Sequence, residues 1–158
     1  TEQKKDEQEE EKRKKEIEEQ KAEKESSDKR ALFVVASLIH NRDYADFNAD
    51  IYPYLKEEYL KKAYEYAINC KKAGEKCNPS AMFSILDEKD AFAVAGYEFL
   101  DGDNAAKFAT CVGGIKSDYL NAEKQRLAKQ YAESKDIECL KKIMKIDEKL
   151  REIKNGGG

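Results

Sequence analysis

Few side chains in this sequence can do acid–base or nucleophilic chemistry, and their spacing narrows the options further. The single histidine, His40, falls one helical turn after Ser37, with Asp43 and Asp46 just beyond. Residues at i,i+3 share a helix face. Neither an orienting acid nor oxyanion donors follow from that spacing, so no Ser–His–Asp triad is read here. His40 reads instead as a helix-end histidine favoured by the negative end of the dipole. Glu57-Glu58, Asp87-Glu88 and Asp101/Asp103 are the carboxylate pairs that glycoside chemistry would require. Each also stands where a helix cap or a solvated face is expected. Asp101-Gly102-Asp103-Asn104 lacks the alternating ligands and closing Glu of a calcium loop, and reads as a turn with a helix N-cap. No phosphate loop, dinucleotide fingerprint or HExxH pattern occurs. The sequence is therefore read as non-enzymatic, with no catalytic, cofactor-binding or metal residues.

The four cysteines, Cys70, Cys77, Cys111 and Cys139, are the remaining reactive groups. They suit two disulfides in an exported protein, or buried thiols in an ordinary core. Cys70 and Cys77 would stand about 10 Å apart along a straight helix, too far to bridge. A chain that folds back at Gly74 brings them within reach. That geometry favours at least one disulfide; a zinc site lacks its CxxC pair.

The elements that position these residues read as helices throughout. Leu55, Tyr59, Ala63, Tyr66 and Cys70 recur at helical spacing, predicting a helix from about Tyr54 to Lys72 with Gly74 as its C-cap. Ala31 to His40 is apolar on nearly all sides except Ser37 and predicts a buried helix. A short helical or irregular segment comes after Pro79. A helix from about Asp90 to Leu100 is next, then one over 105–112. Gly113-Gly114 predicts a break before a helix over 115–133. The last helix carries Cys139, Leu140, Ile143, Met144, Ile146 and Leu150. Strand patterns are absent.

Charged residues make up 40% of the chain, yet the net charge is only -3. No excess of one sign favours nucleic acid, and no apolar run is long enough to span a membrane. Residues 1–29 read as a charged helical spacer or tether, 30–152 as an all-helical binding domain, and 153–158 as a disordered tail. The first segment has no apolar seam and is not a convincing coiled coil. Glu9/Arg13, Glu10/Lys14 and Glu11/Lys15 are spaced to pair at i,i+4. Ser26-Ser27-Asp28 predicts a break and an N-cap for the apolar helix beyond it.

Tyrosine is the exception to this plain composition. Six of the nine tyrosines lie between Tyr44 and Tyr66. With Tyr59 and Tyr66 on the core stripe, Tyr52, Tyr54 and Tyr64 are expected to point partly elsewhere. Their rings suit a protein interface, or the cover of a second neighbouring helix.

Three turns echo one another: Leu38–Phe47, Phe99–Phe108 and Tyr131–Leu140. Each joins an apolar helix end to a polar turn and a second helix, as stacked α-hairpins do. Leu127, Ala128 and Tyr131, with Ile137, Leu140 and Met144 after them, resemble the packing positions of a tetratricopeptide or Sel1-like repeat. The segment from Ala63 to Cys77 is similar to cysteine-rich Sel1-like proteins. That resemblance implies exported helical scaffolds that bind other proteins, with the Cys70/Cys77 pair stapling neighbouring hairpins. The expectation is a small all-α domain, periplasmic or secreted, and open to tethering through its N-terminal side. Its function would be protein binding or a structural part of an envelope assembly, self-association included. Alternative classes are an inhibitor or immunity-type protein, or a carrier with a cavity between helices 31–40, 91–100 and 105–112.

Overall fold

A computed structural model describes the backbone of residues 2–155 and the side chains of 6–15 and 29–155. Six α-helices and two 3-10 turns make up the described residues, with no strands among them. They are α1 (Glu2–Ile39), α2 (Glu58–Lys72), α3 (Met82–Ile85), α4 (Glu88–Ala95), α5 (Ala105–Ser134) and α6 (Ile137–Lys154), with turns at Tyr52–Tyr54 and Pro79–Ala81. The all-helical expectation holds.

The end of α1 is the centre of the fold. Phe33, Val34, Val35, Leu38 and Ile39 are all buried, as the all-round apolar pattern predicts. Ser37, the one polar residue among them, is satisfied: its hydroxyl donates to Phe33 O at 2.7 Å and lies 3.2 Å from the Tyr44 hydroxyl. Against this segment pack α2, α4 and the first half of α5, forming one core. A second, smaller core joins α5 to α6 through Leu120, Leu127 and Ile146. Tyr54 packs against both.

Helix ends obey the expected chemistry where a residue can adopt the left-handed region. Gly74, at φ 71°, closes α2, with the Glu75 N–H donating to Cys70 O at 2.9 Å. Asn41, at φ 54°, closes α1. Its side-chain amide donates to Cys77 O at 2.9 Å and its carbonyl oxygen accepts the Cys77 N–H at 3.0 Å. One residue thus ends a helix and pins the chain after α2 beside it. Asn104 caps α5 by accepting the Lys107 N–H, which confirms the turn-and-cap reading of the DGDN run.

Several expected boundaries move. α1 passes through Ser26-Ser27-Asp28 without a break, so the charged segment and the core segment are one helix about 57 Å long. The expected i,i+4 pairs of residues 9–15 do not close to ion-pair distance among the described residues. α5 also runs unbroken through Gly113-Gly114. A Cβ on Gly114 would come within 3.3 Å of the Arg30 guanidinium of α1. The absent side chain brings the two helices together rather than breaking one. α2 begins at Glu58, not Tyr54, because Tyr52–Tyr54 turns as a 3-10 helix and Leu55 is extended. α4 stops at Ala95, leaving Tyr97, Phe99 and Leu100 in an irregular link. α6 continues through Ile153, which packs in the second core, so the expected tail begins later. Residues 156–158 lie outside the described part.

Candidate functional site

The groups with catalytic potential turn away from one another. The Ser37 hydroxyl is held by Phe33 O and Tyr44. His40 donates through Nε2 to Val94 O at 3.0 Å, with its ring edge-on to Phe99. Asp103 is tied into the α4–α5 link: it accepts the Leu100 N–H at 2.7 Å and the Lys107 ammonium at 2.5 Å. Burial alone would raise its pKa, but these two donors outweigh it and hold the carboxyl below its ordinary range. The Lys107 ammonium, held by Asp103, titrates above its ordinary range and lies 4.5 Å over the Phe33 ring. This ion pair fastens the link to the core.

The cysteines require a correction. All four are free thiols, so the expected disulfides are not formed. The chain does fold back at Gly74 and bring Cys70 and Cys77 face to face. Their separation of 4.1 Å is twice a disulfide bond length. Burial, reinforced by Cys70 alongside, pushes the Cys77 thiol up to about 12 and keeps it protonated. It fills space under the Asn41 clamp. Cys111 lies near the start of α5 and Cys139 in the first turn of α6, past the far end of α5, so the length of α5 separates them by about 30 Å. The expectation of export loses the disulfide on which it rested. No helix among the described residues is long and apolar enough to cross a membrane.

The three tyrosines separate by environment. Tyr64 is buried, with its hydroxyl 3.4 Å from Ala49 O, so it belongs to the core rather than to an exposed face. Burial first, then Asp50 nearby, raises its pKa. The buried stripe of α2 is Leu60, Ala63, Tyr64, Ala67 and Cys70, turned from the expected one toward the face that packs on α1, and Leu55 falls outside the helix. Tyr54 is half-buried, edge-on to Tyr119 at 5.3 Å, and Lys116 stands over its ring. It is covered by a neighbouring helix. Tyr52 is the exposed member, its hydroxyl donating to Glu65 at 2.6 Å. Tyr52 and Tyr64 wall an open groove of about 440 Å³, completed by Glu65, Ile68, Asn69 and Lys72 of α2.

A second surface was not foreseen as one. α6 buries Cys139 and Ile146 against α5, with Ile143, Leu150 and Ile153 beside them. On its opposite side Ile137, Leu140 and Met144 are 65%, 38% and 66% exposed. Their spacing puts them on one ridge. The signal was present in the sequence: these three stand about half a turn round the helix from Cys139 and Ile146, so one buried stripe cannot hold all five. Phe83 and Phe92 form a smaller exposed pair, edge-on at 5.0 Å.

No protein family, curated protein or solved structure matches this chain.

Proposed function

We propose that the chain is a non-catalytic interaction module that binds a protein partner through the outward ridge of α6. The observation that carries this reading is the double apolar character of α6: one face packs on α5 and the other, Ile137-Leu140-Met144, meets water. Large apolar side chains grouped on one helix face favour burial by about 25 cal/mol per Å² covered, the usual basis of a docking surface. The α5–α6 hairpin with this ridge is also what a stacked helical repeat offers its next layer, which supports the repeat-like reading of the last unit. The space where a carrier would need a cavity is filled by Phe33, Val94, Phe108 and Val112, so the binding reading is the better supported one.

The test compares the wild-type chain with an Ile137→Lys/Met144→Lys variant as affinity baits in extract from the source cells. Both sites are exposed, so the variant should keep its helical content and melting temperature. A discrete protein retained by the wild type and lost from the variant is the expected result. Identical retained proteins with both baits would rule out the ridge as the binding surface.

A further inference from the structure

The groove beside Tyr52 lies on the outward face of α2, where Glu65, Ile68, Asn69 and Lys72 fall at i, i+3, i+4 and i+7. All but Ile68 are exposed, and Ile68 is half-buried. The side chains of Asn69 and Lys72 make no polar contact within the described chain. Glu65 uses one oxygen, Oε1, to accept the Tyr52 hydroxyl and leaves the other open. The face therefore carries a free anion acceptor and a free cation seven residues apart, about 10 Å along the axis, with an apolar side chain and an amide between them.

That order is self-complementary. If a second α2 is laid antiparallel across the first, with the two-fold axis between Ile68 and Asn69, Glu65 comes level with the partner copy's Lys72, and Lys72 with its Glu65. At the centre Ile68 comes level with the partner copy's Asn69, and Asn69 with its Ile68. α2 ends at Lys72 and the chain turns away at Gly74, so the two Glu65–Lys72 pairs are the charge pairs within the helix contact.

We propose that this face of α2 docks a second copy of the chain in an isologous, antiparallel helix pair. Two-fold symmetry requires one patch to serve both sides, and this patch meets that requirement in charge order. A pair of helices about 22 Å long buries less than the roughly 1,600 Å² of a standard interface, so the dimer is weak, reversible and salt-sensitive. It rests on the reading of the chain as an interaction module, but it uses a different surface from the α6 ridge and needs no foreign partner.

The test uses the purified full chain in sedimentation equilibrium at low salt, with circular dichroism to confirm folding. Wild type should dimerise, and added salt should weaken it. Glu65→Lys places like charges opposite each other at both central pairs, as does Lys72→Glu, and each should weaken association about ten-fold or more. Mixing the two variants restores opposite charges at both pairs, so a heterodimer should form where neither variant associates alone. A wild type that stays monomeric at every concentration overturns the proposal. So does a dimer indifferent to both substitutions, or a mixture that fails to recover association. None of these failures touches the ridge reading, which is read from retained partner proteins.

Discussion

Asn41 illustrates how much one polar side chain does here. It supplies the left-handed residue that ends α1 and clamps both backbone groups of Cys77. Asn41→Ala loses both bonds and places an unsuited residue at φ 54°, so we expect a loss of about 2–4 kcal/mol. Asn41→Gly keeps the conformation and should lose less; urea unfolding separates the two costs. The sequence marked a turn over Leu38–Phe47, but not the partner of Asn41 within it, because Cys77 lies 36 residues away and only tertiary packing joins them. Cys70 and Cys77 were placed together correctly by the Gly74 turn, yet proximity did not make a bond. The chain should bind four equivalents of a thiol reagent once unfolded, and its melting temperature should not change with reductant. Asp103 adds a pH dependence. Its folded pKa lies below the ordinary value of about 3.9, so its stabilising contribution is complete above that pH and is lost as pH falls through the folded value. The stability gap between wild type and Asp103→Asn should therefore close in acid, as read from urea midpoints across pH.

At the scale of elements, glycine and cap positions explain where reading the sequence succeeded and where it failed. Periodicity located α2, α5 and α6, but local rules could not tell a helix-breaking Gly-Gly from one that admits a neighbouring helix. In α5 the second applies. A Cβ on Gly113 would meet Ile153 at an ordinary contact distance of 3.6 Å. Gly113→Ala should therefore stabilise the chain by about 0.5–1 kcal/mol through helix propensity. Gly114→Ala should gain less, since it must displace Arg30 and disturb its exposed pair with Asp118. The α5–α6 turn offers a matching case. Lys135 occupies the left-handed position at φ 56°, which glycine would fill without strain. Lys135→Gly should therefore raise the melting temperature.

Across the whole molecule, two surfaces are proposed as docking faces: the α6 ridge and the outward face of α2. Periodicity marked both helices as amphipathic but not which face each buries: Tyr64 replaces Tyr59 and Tyr66 in the α2 core, and Ile137, Leu140 and Met144, expected to pack, are exposed on α6. The expected interface tyrosines were only partly informative. Tyr64 packs beside Ala49 and Tyr52, and Tyr54 against Tyr119 of α5, neighbours that a stripe count on one helix cannot foresee. The central claim is that the ridge exists to be covered by another protein. The most direct measurement places a photo-crosslinking amino acid at Met144, and as a control at exposed Lys129 on α5, in the source cells. A discrete crosslinked protein from position 144 and none from 129 is the predicted result. The same pattern from both positions, or no adduct from 144, would contradict the claim.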